Sequence, residues 1–183
     1  MAFEFFKETW KNKDLSIFIV LVRFIIGIEW FMAGLDKIIS GDFVTNISGT
    51  LFYFANGPNP PTTFNPNTWY VNLINNVFVP NSTVFGYLVM IGEFTLGIVL
   101  ILGILVNLSS IISIFMSLNF LFAAGWLSES TMSVNWILAV LALILLLSPG
   151  AKTLSIDKLV ANRFPKLNRF LIDWFGFQKL LQK

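Results

Sequence analysis

The chain contains neither cysteine nor histidine. That excludes disulfides, thiolate chemistry, Fe–S clusters, histidine-ligated haem and the usual zinc sites. No protein-ligated metal or haem is expected, and a cofactor that needs side-chain ligands would have to come from a partner. Charge is scarce too. Only 12% of the 183 residues are charged, against about 25% in an ordinary soluble domain. With 56% hydrophobic residues and a mean hydropathy of +0.76, the composition is that of a membrane protein. Internal repeats and low-complexity segments are also missing. The first long apolar run lacks a small-residue cleavage site, so no signal peptide is expected despite Lys7, Lys11 and Lys13 ahead of it.

What is present is long apolar runs. Four are near the roughly 20 residues needed to cross a bilayer core: Leu15–Leu35, Val84–Val106, Leu108–Leu127 and Met132–Ser148. The fold class is therefore an all-α membrane protein. Its core is a four-transmembrane-helix bundle with a long extracellular loop and amphipathic terminal helices. The expected organisation is an interfacial segment at 1–14, a transmembrane domain at 15–148 with its loop at 40–82, and a basic amphipathic tail at 149–183.

Positive charge is unevenly placed. Lys152, Lys158, Arg163, Lys166, Arg169, Lys179 and Lys183 follow the last span, and three lysines precede the first. The segment 40–82 has no basic residue, and Asp42 is its single charge. The positive-inside rule then puts both termini in the cytoplasm and the loop outside the cell membrane. The loop's aromatics, including Phe52, Tyr53, Phe54, Phe64, Trp69, Tyr70 and Phe78, argue for a packed, partly re-entrant cap. Asn46 and Asn81 head two glycosylation sequons on that side. After Pro165, Leu167, Phe170, Leu171, Trp174 and Leu181 recur at helical spacing, as suits a helix on lipid or on a partner subunit. No nucleic-acid partner is expected.

Arg23, Glu29 and Glu93 lie inside apolar runs, where a charge costs roughly 2.5–3.5 kcal/mol on insertion scales and marks a use or a partner. At about 100° per residue, Arg23, Gly27, Trp30, Gly34 and Lys37 fall on one helical stripe. By depth alone Arg23, Glu29, Glu93 and Asn119 converge inside the bundle, with Asp36, Lys37, Glu129 and Asn135 as an outer polar ring. Each has a plain structural alternative. Arg23 either pairs with Glu93 to hold two helices or meets a ligand. Asn119 is either helix glue or a ligand contact, and Trp30 either packing or the wall of a ring site. Lys37 is either an interface anchor or, as the basic residue of the outer half, the attraction for an anion. Two carboxyl groups beside one arginine favour proton handling by Glu93 and Glu29, unless Lys37 reaches inward to pair with one of them.

The series Arg23-x3-Gly27-x2-Trp30-x3-Gly34-x2-Lys37 resembles the first-helix signature of the DoxX/DoxD family. Gly92-Glu93-x3-Gly97 with Gly103 is similar to its second-helix pattern, and Ser148-Pro149-Gly150 with Leu154-Ser155-Ile156-Asp157 to its close after the fourth helix. The long loop and basic tail look more like the DoxD branch, the large membrane subunit of archaeal thiosulfate:quinone oxidoreductase. That resemblance implies oxidation of thiosulfate to tetrathionate outside the cell and reduction of a membrane quinone of the caldariella type. It implies archaeal respiration, a DoxA-like small subunit, and association with terminal quinol oxidase subunits. On this reading Glu93 donates protons, Arg23 donates a hydrogen bond to a quinone oxygen or serves as charge partner, and Glu29 relays protons. Trp30, Lys37 and Asn119 bind substrate or quinone. The alternative is a non-catalytic accessory or assembly subunit of a terminal quinol oxidase complex. An ion or solute transporter is the weaker third reading, because the inner half offers little polar path beyond Arg23.

Overall fold

The computed structural model describes residues 16–60, 64–164 and 166, and all their regular structure is helical. The segment 1–14 and the helix expected after Pro165 lie outside the described residues. Four helices are long and apolar enough to cross a membrane: α1 (Ser16–Ser40), α4 (Ser82–Leu102), α5 (Val106–Ala124, extended by a 3-10 turn to Leu127) and α6 (Glu129–Leu147). Between α1 and α4 stand α2 (Phe43–Asn56) and α3 (Thr68–Leu73), the latter running into a π turn at Ile74–Phe78. A short α7 (Ile156–Arg163) follows the bundle. The chain is thus a multi-pass membrane protein, and its outward faces carry apolar side chains such as Leu88, Ile91, Phe115, Ile137 and Val140.

The helices pair antiparallel, α1 with α4 and α5 with α6. Small residues set the first pair. A Cβ on Gly34 would collide with the Phe94 backbone, one on Gly97 with the Phe31 backbone, and one on Gly27 with Ile101. Without a hydrophobic drive between helices in lipid, such close backbone approach supplies the packing energy. The rings of Phe31 and Phe94 lean together beside it, 5.1 Å between centroids. On α5 the small face is serine: Ser109, Ser110, Ser113 and Ser117 are all buried. Ser109 and Ser110 return their hydroxyl donors to the backbone at Ile104 and Val106. Buried Ala139 and Ala142 lie on α6.

The α4–α5 corner falls earlier than the apolar run predicts. Gly103 takes φ 68° and ends α4, and Leu105 follows at φ 47°, a conformation that non-glycine residues avoid. Asp157 holds it there. Its two carboxylate oxygens accept from the amides of Leu105 and Val106, each at 2.8 Å, so a side chain from α7 caps the start of α5. Burial pushes the Asp157 carboxyl above the usual carboxylate range, while the two amides, Lys152 and Arg23 oppose that shift. Gly103 is required for a second reason: a Cβ there would overlap Ser155 and the Arg23 guanidinium.

The segment 40–82 does form a packed cap. Ile47, Leu51 and Ala55 of α2, with Tyr70 and Ile74, bury themselves against Ala123 and Ala124 at the end of α5. Asn65 staples it. Its fully buried Nδ2 donates to the carbonyls of Phe54, Phe122 and Ala123, and its Oδ1 accepts from Asn67. Trp126 donates from Nε1 to the Phe54 carbonyl at 3.0 Å.

Candidate functional site

The stripe along α1 is real, but it serves two ends of the molecule. At the α7 end, Arg23 is completely buried and donates from Nη1 to the Ala151 carbonyl at 2.6 Å and from Nη2 to the Leu154 carbonyl at 2.8 Å. Its guanidinium caps the carbonyl-rich segment 151–154 and is not paired with Glu93. The expected Arg23–Glu93 convergence is therefore corrected. Arg23 lies a long way down α1 from Lys37, and free carbonyls at its own end accept from Nη1 and Nη2, while its buried Nε has no partner among the described residues. Together with Gly103, Ser155 and Asp157 it forms a latch that fixes the end of the bundle.

The intramembrane ion pair is between Lys37 and Glu93. Lys37 Nζ stands 2.7 Å from Glu93 Oε2, with Glu93 2% exposed and Lys37 22%. Lys37 also donates to the Ala33 carbonyl and lies 5.3 Å from the centre of the Phe43 ring. The geometry follows from the glycines. With Gly34 against Phe94, the next turn of α1 carries Lys37 onto the turn of α4 that bears Glu93. Lys37 is thus turned inward and leaves the polar ring expected with Asp36, Glu129 and Asn135. Asp36 and Glu129 are exposed, whereas Asn135 is buried and donates to the Thr131 carbonyl.

Glu29 does not join this group. It sits roughly 120° around α1 from the buried stripe and is exposed on the opposite face. Depth along a helix follows from rise, but the direction a side chain faces follows from the 100° turn per residue.

Beside Lys37 the cap and the bundle line a half-open cavity of about 500 Å³. Its lining is almost wholly apolar, with Phe43, Phe78, Phe115, Met116 and Phe120 prominent, and Gly92 leaves room on the α4 side. Polar groups enter at few places. Lys37 is one. Thr50 is a second, and the third is Tyr70, which donates to Asn119 Oδ1 at 3.1 Å, while Asn119 Nδ2 donates to the Phe115 carbonyl at 2.7 Å. Burial pushes the Tyr70 phenol up to about 12, so it stays a donor at any physiological pH. An apolar chamber of this size with a few fixed polar groups suits a small, flat, mostly apolar ligand bearing oxygen acceptors.

A second cavity, about 370 Å³, opens beside the cap and has more polar walls, among them Thr45, Ser82, Thr83 and Tyr87. Lys37 lines this one too. The one ammonium group therefore borders both chambers. Trp30 lines neither. Its indole donates to Ser113 Oγ at 2.8 Å and its ring stacks behind Phe120, 6.1 Å between centroids, so it supports the cavity wall from one layer back. Asn46 and Asn81 are exposed at the cap end.

Tyr70, Phe43 and Gly92 join the site without having been singled out for it. Tyr70 carried a usable signal, since a tyrosine among buried aromatics needs a hydroxyl partner. Gly92 carried none beyond its place in the glycine pattern.

A family model described as "TQO small subunit DoxD" matches residues 18–180. That description makes DoxD a small subunit, where the resemblance implied a large one. No curated protein and no solved structure gives a significant match.

Proposed function

The chain belongs to the DoxD family, and on that premise we propose that it is the quinone-reducing membrane subunit of a thiosulfate:quinone oxidoreductase. The observation that carries the reading is the aromatic cavity of about 500 Å³ bordered by Lys37 and by the Tyr70–Asn119 pair. A quinone head group matches it in shape and polarity, with two carbonyl oxygens that need donors. Lys37 donates to one of them. Glu93 acts through Lys37, as the positioning carboxylate that holds the ammonium in place and exchanges a proton with it. Asn119, oriented by Tyr70, offers the second polar point.

The overall reaction balances as two thiosulfates joined by a new S–S bond to give tetrathionate, with two electrons released. The quinone takes both electrons and two protons. The basic residues Lys158, Arg163 and Lys166 at the α7 end support a cytoplasmic placement of that end, with the cap outside. The polar chamber then faces the exterior, and Lys37 is its cation for a thiosulfate dianion. A DoxA-like subunit completes the thiosulfate side.

The test fills the cavity without disturbing the fold. A Cβ at Gly92 meets only the Met116 terminal methyl, at 3.9 Å. Gly92→Leu should lower thiosulfate-dependent reduction of a short-chain quinone by the assembled complex at least ~tenfold. Gly49→Leu, where a Cβ meets nothing within 4 Å, should leave it unchanged. Full activity in Gly92→Leu would remove the quinone from this cavity. No activity in the folded wild-type complex would favour the accessory-subunit alternative.

A further inference from the structure

The face of α1 opposite the buried stripe is an exposed, mostly apolar row, with Phe18, Leu21, Ile25, Ile28, Met32 and Ile39, and Asp36 joins it near the Ser40 end. Glu29 stands in the middle of it, about 20 Å from the Ser16 end and about 16 Å from the Ser40 end. It has no hydrogen bond or ion pair among the described residues. Hydrocarbon offers no donor to its carboxyl oxygens, and a carboxylate facing lipid at mid-depth is among the least favourable arrangements a span can hold.

We propose that this row seats a transmembrane helix of a different polypeptide, one carrying a lysine or arginine at the depth of Glu29. Charge complementarity selects the occupant. The described spans of a second copy offer no free cation. The two basic residues in its spans are Arg23, capping backbone carbonyls, and Lys37, paired with Glu93. The other exposed basic side chains among the described residues, Lys158, Arg163 and Lys166, lie beyond the end of α6. A symmetric pairing through this row would set Glu29 against Glu29. An apolar ridge with Glu29 at mid-depth, and Asp36 nearer the Ser40 end, is complementary to an apolar helix with a cation at mid-depth, which buries both central charges together. The inference rests on the membrane placement of the helices and is independent of the quinone reading.

The experiment places a photoreactive benzoylphenylalanine at Ile25 or at Met32, one turn to either side of Glu29, in the full chain within native membranes. The same group at Ile137, exposed on α6, is the control. Mass spectrometry of the adducts should identify, from Ile25 and Met32 alone, one foreign membrane span with a Lys or Arg within a helical turn of the attachment point. Adding Glu29→Lys should cut that adduct at least ~tenfold, and Glu29→Leu should also weaken it. Because Glu29 is exposed, neither change disturbs the bundle, which thermal unfolding in detergent verifies. Adducts to lipid alone would overturn the proposal. So would adducts to a second copy, to residues 1–15 or 167–183 of the same chain, or to a foreign span without a cation at that depth. Quinone titration of the same variants is a separate readout, so the docking face and the cavity reading fail independently.

Discussion

Replacing Lys37 by methionine keeps an unbranched side chain of similar bulk but removes the ammonium 2.7 Å from Glu93. Glu93 is then left 2% exposed with no cation beside it. Removing one member of a buried pair costs about 3–5 kcal/mol, because the surviving charge keeps its desolvation penalty and loses the attraction that offset it. At about 2–4 °C per kcal/mol for a chain of this length, the melting temperature should fall by roughly 6–20 °C. Glu93→Met alone should cost less, since Lys37 is 22% exposed and can turn towards water. The double variant Lys37→Met/Glu93→Met removes both charges from the low-dielectric site, so its stability should return to within about 1–2 kcal/mol of the wild type. The assay is thermal unfolding in one detergent for all four proteins of the cycle. Quinone reduction is measured beside it, and there the double variant should stay inactive despite its recovered stability. A coupling energy below about 0.5 kcal/mol would refute the reasoning, because the two side chains would then be energetically independent.

Gly34→Ala and Gly97→Ala each drive a methyl into the backbone of the facing helix. Each should destabilise by roughly 1–3 kcal/mol or more. The separation they force should also weaken the Lys37–Glu93 contact, seen as a joint loss of melting temperature and quinone reduction. Asp157→Ala leaves the amides of Leu105 and Val106 without their acceptors and Leu105 in a left-handed conformation. A loss of roughly 3 kcal/mol or more is expected in thermal unfolding, and a wild-type melting curve would remove the capping role. Tyr70 should ionise late. Its phenol is raised from 10.0 to about 12, so its contribution to stability is fully present below pH 10 and is lost as the pH rises through about 12. An absorbance titration of Tyr70→Phe against wild type should lack that late step; an unchanged late step would contradict the burial argument.

The amino-acid sequence by itself determined the membrane class, the four spans and the buried stripe of α1. Apolar length and 100° periodicity are local properties, and lipid imposes them on each helix separately. It also marked the residues that matter, because a charge or a close-packing glycine in a span is rare enough to be visible without a fold. Which marked residues meet was decided only by the tertiary structure. Arg23 and Lys37 lie on the same stripe. One ends on the carbonyls of 151–154 and the other on Glu93, because the Gly34–Phe94 and Gly97–Phe31 crossings fix the register of α1 against α4. Glu29 lies about 12 Å along α1 from Lys37 and also faces away from the site, since azimuth becomes meaningful only once a neighbouring helix defines an inside. The cavity needed still more. Tyr70 and Phe43 reach it from the cap, and Asn65 ties that cap to α5 across a long stretch of chain. No periodicity within either segment encodes that contact.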